Sequence, residues 1–325
     1  MFTINETAAT VQDGIGTLHT RALLVRLHLH TWTARKFDGK ASRAYLATQH
    51  ASHDAARINK NLLPVSSGVQ VAAPGKARKH APKTDKQKPA RMVSSFQALL
   101  TLAGAIRAEY YDRTLAWEDN GFRLCPTDQF EALATWYRKR SEEFRIALDR
   151  FVPDYPALRL AAQSALGIAL FNANDYPAVE EIKARFLIRL DYDQVPIAGD
   201  IRVDVPPEHL AAIEASVQSR IESAVETAKR DAWTRLHTVA AAMSERLAQP
   251  SATFRDSLIE NVRRACDELA VLNVMRDPDL ESMRITMLTD LASSDPQTIR
   301  DNKLARAQLA ERATAIADQM SALFS

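Results

Sequence analysis

Pro207-Glu-His-Leu-Ala-Ala-Ile-Glu-Ala-Ser-Val-Gln-Ser-Arg220 continues without interruption into Ile221-Glu-Ser-Ala-Val-Glu-Thr-Ala-Lys-Arg230 and on to Gln249 before Pro250. From Glu208 to Gln249 there is neither proline nor glycine. Apolar residues fall at Leu210, Ile213, Val217, Ile221, Val225, Ala228, Ala232, Leu236, Val239, Met243 and Leu247. Steps of three and four place them on one stripe of an α-helix. At 1.5 Å per residue the helix is about 60 Å long. A stripe of that length needs apolar partners, so the rest of the chain is expected to supply helices that pack along it. The stretch therefore predicts a mainly α fold: an elongated helical bundle, coiled-coil-like in packing, organised by one helix of about 40 residues.

Downstream, Thr253–Val274, Pro278–Ala292 and Pro296–Phe324 read as three further helices. The short Asp277-Pro278 and Asp295-Pro296 joints suggest antiparallel neighbours. Upstream, Phe186–Tyr192 and the cleanly alternating Asp200–Val205 read as strands, joined at hairpin length by Val195–Gly199. Ala22–Thr33 also alternates, with Val25, Leu27, Leu29 and Thr31 on one face and Arg26, His28, His30 and Trp32 on the other. These three segments predict a small antiparallel β-sheet. Ala34–Gly39 reads as a turn and Lys40–Lys60 as a helix. A helix is expected over Phe96–Arg113, capped by Ser94 or Ser95. Trp117–Pro126 reads as a loop that turns at Asn120-Gly121, with Trp117 as its anchor. Thr127 or Asp128 begins a helix that Pro153 and Pro156 are expected to break, and Tyr155–Leu170 resumes it. Another helix begins at Asn174–Pro177. The expected domain organisation is a mixed helical part with the sheet over 1–205 and the long-helix antiparallel bundle over 206–325.

Charge is distributed unevenly. Residues 1–92 hold 15 Lys and Arg against 5 Asp and Glu, whereas the remainder holds 27 against 35. Much of the excess lies in 64–92, a lysine- and proline-rich stretch with almost no apolar content, expected to be a mobile basic loop. With Arg35, Lys36 and Arg43, the residues Lys76, Arg78, Lys79, Lys83, Lys86, Lys88 and Arg91 form a basic footprint able to neutralise phosphates. Trp32 could add a stacking surface. Aromatics are not interleaved through the basic run, and no helix-turn-helix, zinc-finger or RNA-binding signature occurs. The same loop could dock on acidic helices.

Two cysteines far apart, Cys125 and Cys266, read as buried small hydrophobes. No apolar run reaches the length of a membrane span, and the N-terminus lacks a signal-peptide pattern, so no membrane partner and a cytoplasmic location are expected.

His28 and His30, two apart on a strand, share a face in the manner of metal-gripping pairs. Carboxylates or further histidines would have to converge on them; His50 and His53 are the nearest in sequence. Glu109 and Asp112 lie one turn apart beside Arg107 and Arg113, which favours ion pairs over acid–base work. The sequence holds no Ser-His-Asp, Cys-His or P-loop arrangement, and it points to no cofactor.

Arg26-Leu-His-Leu-His-Thr-Trp-Thr-Ala-Arg-Lys-Phe-Asp38, Ile58-Asn-Lys-Asn-Leu-Leu-Pro64, Ile106–Trp117, Gly121–Pro126 and Asp175-Tyr-Pro177 resemble an uncharacterised family of phage, prophage and plasmid proteins. That resemblance covers most of the chain and carries no catalytic residue. Members tend to be encoded near a MoxR-type AAA+ ATPase and a von Willebrand factor A protein similar to a cobaltochelatase subunit, which implies either as a partner. The reading is a non-enzymatic phage or mobile-element protein, an adaptor, assembly or structural factor that acts by protein–protein contact in the bacterial host, with homo-oligomers open. The alternatives are a nucleic-acid-binding accessory protein built on the basic N-terminal part, and a metal-dependent enzyme built on His28 and His30.

Overall fold

The computed structural model describes residues 17–37, 42, 59–63, 70–72, 92–118, 121–202, 205–249 and 255–322. In chain order the described elements are helix α1 (Leu18–Arg21), strand β1 (Ala22–His30), β2 (Arg35–Phe37), β3 (Asn59–Asn61), β4 (Gln70–Ala72), β5 (Met92–Ser94) and α2 (Ser95–Asp112). Strands β6 (Leu115–Ala116) and β7 (Arg123–Pro126) precede helix α3 (Phe130–Leu170), the short α4 (Val179–Ile182) and strand β8 (Leu187–Gln194). Helices α5 (Pro207–Ala248), α6 (Ser257–Leu272), α7 (Pro278–Asp290), α8 (Pro296–Asp301) and α9 (Lys303–Ser321) complete the chain. The fold is mainly α, with a 42-residue helix and a small antiparallel sheet, as the periodicity predicts. The chain forms two compact units: Met1–Arg26 with Tyr110–Ala134 and Asp191–Ser325, and Leu27–Glu109 with Thr135–Leu190.

In the first unit, α5 is the axis of the core. It opens on Pro206-Pro207, where a missing N–H costs no intrahelical bond. Its buried residues are Ile221, Ala224, Val225, Ala228, Ala232, Leu236, Ala240, Met243 and Leu247, in the expected steps of three and four. Alanine at 228, 232 and 240 leaves no bulk at the seam, so α9 comes close, with Leu309, Ala313, Ile316 and Met320 in the same buried cluster. Helices α6 and α7 add Ile259, Val262, Leu269, Leu280 and Met287 to it. The joints are capped as their residues dictate. Asp277 accepts from the Asp279 and Leu280 N–H groups at 3.0 and 3.1 Å with Pro278 next to it. Asp295 accepts from Thr298 N–H at 2.9 Å beside Pro296. The helix expected over Pro296–Phe324 is divided at Asn302, whose backbone is extended and whose side chain caps α9 through Leu304 and Ala305 N–H.

The sheet is a correction to the expected strand pairing. Its order is β6-β7-β1-β8. Trp117–Pro126, expected as a loop, holds strand β7, which forms a hairpin with β6, Leu115 opposite Leu124 and Ala116 opposite Arg123. Strand β7 then pairs antiparallel with β1, Ala22 opposite Pro126 and Leu24 opposite Leu124. Gly121, at φ +87°, adopts the left-handed conformation that the turn needs. Trp117 is buried in the core cluster, the anchor its position suggested. The described part of the expected strand Asp200–Val205 is irregular: Asp200 N–H closes a turn on Ile197 O, and Arg202 pairs with Asp200 at 2.7 Å in solvent. Alternation marks two faces, but a strand also needs a neighbour to satisfy its backbone.

The second unit has an aromatic core. Trp32 packs on Phe96 and Tyr155 at 5.8 Å each, and Phe151 on Phe96, Tyr155 and Phe186 at 5.2 to 5.8 Å. Ser94 caps α2, its hydroxyl accepting from Gln97 N–H at 3.2 Å. Helix α3 runs through Pro153 and Pro156 rather than breaking there. The lost backbone bonds are offset by Phe151, Tyr155 and Leu158, all fully buried on one face, and by the Tyr155 hydroxyl donating to Pro177 O at 2.8 Å. The departure from helical geometry comes at Gly167, φ 63° and ψ 179°. Two small pairings were not anticipated. Arg35–Phe37, expected as a turn, pairs with Asn59–Asn61, and Gln70–Ala72, within the expected loop, pairs with Met92–Ser94. The rest of the loop, and nearly all of the helix expected over Lys40–Lys60, lie outside the described residues.

Candidate functional site

Hairpin β6–β7 is joined to α5 through a carboxylate. Asp231 Oδ2 accepts from Ala116 N–H at 2.7 Å, from Arg123 Nη2 at 3.0 Å and from Arg235 Nη2 at 3.1 Å. Arg235 also donates to the last carbonyls of α2, Tyr111 O at 2.8 Å and Asp112 O at 3.3 Å, and to Thr114 O at 2.6 Å. A guanidinium there satisfies carbonyls that the helix leaves open and opposes the negative end of its dipole. Arg123 donates to Thr114 O at 2.9 Å and lies over the Tyr111 ring at 4.7 Å. Burial works against the charge on Asp231, but Arg235, the Ala116 N–H and Arg123 outweigh it and hold the carboxyl below the usual range. Burial likewise lowers Arg123, opposed by Asp231.

The Arg123, Asp231 and Arg235 side chains wall a groove of about 510 Å³ that Tyr111, Arg264 and Glu268 also line. Glu268 is pushed up, first by burial and then by Asp112, against the opposing pull of Arg264 3.8 Å away. The cations of this groove are engaged by carboxylates and carbonyls, so the arrangement is a brace. Cys125 and Cys266 are buried, with thiols pushed up to about 11 by burial, and are not activated nucleophiles.

A different surface is presented by the start of α5. Buried residues begin at Ile221, although Leu210, Ile213 and Val217 continue the stripe toward the N-terminus and are only half-buried. Ala211, Ala212, Ala215, Ser216 and Ser219 around them are exposed. Arg220, at the end of this segment, pairs with Glu118 at 3.1 Å. This stretch of helix thus offers small and partly exposed apolar side chains around Glu214, with Val217 packed on the core.

The residues singled out from sequence are dispersed. His28 and His30 lie with ring centroids 6.4 Å apart on β1. Among the described residues no group of three or more His, Cys, Asp or Glu is placed to hold a metal ion. Arg35 is exposed on β2. Lys36, beside it, donates to Asp175 Oδ1 at 2.5 Å, so its charge is already matched by an almost fully buried carboxylate. Trp32 is engaged in the aromatic core and is not a free stacking surface. Arg43, Lys76, Arg78, Lys79, Lys83, Lys86, Lys88 and Arg91, with His50 and His53, lie outside the described residues. Glu109 is in an ion pair, but with Arg140, and it also accepts from Trp136 Nε1 at 2.7 Å. Arg107 instead donates to Leu29 O at 3.1 Å.

Asp231 and Arg235 were not anticipated. Their four-residue spacing, acid before base on a helix, was the available signal, and it is common on solvated faces. Among the described residues no helix is long and apolar enough to cross a membrane. Compared with protein-family models, curated proteins and solved structures, the chain matches none of them.

Proposed function

We propose that this is a non-enzymatic protein that works by protein–protein contact, as an adaptor, assembly or structural factor. The observation that carries the reading is the start of α5, where Leu210 and Ile213 prolong the core stripe ahead of its first buried residue and stay partly exposed beside exposed Ala211, Ala212 and Ala215. Apolar helix faces of this kind are used for recognition in a partner's groove or against another helix. The resemblance to phage, prophage and plasmid proteins supports a role in a bacterial host and suggests an AAA+ ATPase or a von Willebrand factor A protein as the partner. Affinity purification of the full chain from its native host, with mass spectrometry, is expected to recover a stoichiometric partner. Ile213→Glu should lose it while leaving the unfolding midpoint within about 0.5 kcal/mol of wild type, as befits a half-exposed position. A full chain that recovers no partner and remains monomeric in solution scattering would sink the reading.

The charge asymmetry of the sequence supports a second reading, contact with nucleic acid through the basic N-terminal part. Binding to DNA should then weaken steeply with salt and fall when the lysines at 76–88 are neutralised. A gel shift absent at every salt concentration excludes it.

A further inference from the structure

We propose that the β2–β3 ribbon of the second unit binds single-stranded nucleic acid, with Phe37 stacking on an unpaired base and Arg35 meeting the adjoining phosphate. This rests on the nucleic-acid reading and deepens it, assigning the strand state and the residues that grip it. Alternation along β2 puts Arg35 and Phe37 on one face and Lys36 on the other. The register sets Asn61 opposite Arg35, Lys60 opposite Lys36 and Asn59 opposite Phe37. Directly opposite residues share a face, so Asn61 stands beside Arg35. All three residues of β2 are exposed, Phe37 by 52%, and so is Asn61.

The ribbon is tied down on its other side. Lys36 Nζ donates to Asp175 Oδ1 at 2.5 Å. The Leu62 N–H continues the pairing to Ala34 O at 2.7 Å, and the Tyr176 hydroxyl donates to Leu62 O at 2.8 Å. Leu62 and Leu63, just past β3, are buried. Two strands alone are marginal in water, so these ties are what hold the Arg35–Phe37 face outward. A single exposed ring is ordinary on a protein surface. The ligand of this one is indicated by the charge around it. The two strands carry Arg35, Lys36 and Lys60 and no carboxylate, within a segment of 15 Lys and Arg against 5 Asp and Glu over residues 1–92. Asp38, the next residue, lies outside the described residues. Lys36 is matched by Asp175, whereas among the described residues no carboxylate pairs with Arg35. The fitting ligand is therefore a flat ring joined to an anion. Arg35 and Phe37 are two strand residues apart, about 7 Å, a span that one nucleotide covers from base to phosphate. A duplex keeps its base faces stacked on each other, so only an unpaired base is open to the ring. Stacking on aromatic side chains beside backbone-tracking cations is how proteins hold single strands without reading sequence. An open ribbon face suits a polymer, whose further phosphates reach neighbouring cations, better than a lone nucleotide, which needs enclosure. Single-stranded DNA and RNA share this chemistry.

The test is fluorescence anisotropy of the full chain with a labelled oligothymidylate, the matching oligouridylate and a duplex, followed by ultraviolet crosslinking of 5-iodouracil versions of the single strands. At low salt a single strand should bind at least tenfold tighter than the duplex, and the two single-stranded arms tell DNA from RNA. Phe37→Ala should weaken that binding about 5- to 150-fold, and Phe37→Trp should retain it, which separates loss of the ring from loss of the fold. Arg35→Gln should make the slope of log affinity against log salt shallower by about 0.7. The crosslink of the wild type should map to Phe37 by mass spectrometry. Tighter binding of the duplex, an affinity indifferent to Phe37→Ala, or crosslinks confined to the lysines at 76–88 would overturn the proposal and leave the nucleic-acid reading standing. No binding of any strand at any salt removes both. A host protein captured by the wild type and lost with Phe37→Ala, with no strand bound, would likewise show that the ring serves protein contact instead.

Discussion

Asp231 gathers the Ala116 N–H and the Arg123 guanidinium from more than a hundred residues away, and the Arg235 guanidinium from the next turn of its own helix. Removing it as Asp231→Ala strands two largely buried cations, and the expected loss is about 3–5 kcal/mol, read from urea unfolding at neutral pH. Its carboxyl is held below the ordinary range when folded, so its contribution is complete above the unfolded value, about 3.9, and is lost as pH falls through the folded value. Stability of the wild type should therefore fall below about pH 4, and Asp231→Asn should flatten that fall. Gly167 presents a different constraint. Its φ of 63° with ψ of 179° belongs to a region that side-chain-bearing residues avoid, although open space surrounds the site of a Cβ. Gly167→Ala is expected to cost about 1–3 kcal/mol through the backbone alone. A neutral result in thermal unfolding would mean that the segment relaxes to another conformation.

Among the elements, α5 is held by what it lacks as much as by what it buries. Ala232 is fully buried against its neighbours, and Ala232→Leu should cost about 1–3 kcal/mol by overpacking. Leu236→Ala at the next step of the stripe should cost about 2–5 kcal/mol by leaving a cavity. The two opposite volume changes, compared in denaturant melts, test whether the seam is as close-packed as its alanines imply. Helix α3 carries Pro153 at a position with helical geometry and no N–H to donate. Pro153→Ala restores the missing bond to Asp149 O and should raise the unfolding midpoint, by about 1–2 kcal/mol after the greater freedom of the unfolded chain is counted. A drop would show that proline is preferred there.

At the scale of the molecule, the first unit is assembled from three separate stretches of chain. Leu18, Ala22, Leu24, Leu115, Trp117 and Leu124 share one core cluster with α5, α6, α7 and α9. A fragment comprising residues 206–325 alone therefore uncovers part of that core. It is expected to unfold at a lower denaturant midpoint than the full chain, and to bind a hydrophobic dye that the full chain excludes. A fragment as stable as the parent would locate the cohesion of the unit within its helices alone.

Helices were legible in the sequence because their determinants are local. The stripe of α5 repeats every three to four residues, and the caps at Asp277, Asp295 and Ser94 are written within three positions of the helices they begin. His28 and His30 were likewise placed together by a spacing of two on one strand. The sheet was only partly legible. Backbone pairing is non-local and leaves no mark in side-chain pattern, so strand β7 within 117–126 looked like a loop, and the alternating 200–205, whose described part is irregular, looked like a strand. The prolines of α3 were overruled by the burial of Phe151, Tyr155 and Leu158, which only the folded chain supplies. By itself the sequence determined where the long helix runs and which face it buries. Tertiary structure decided which distant segments meet that face, because contacts between segments a hundred residues apart depend on the packing of the whole.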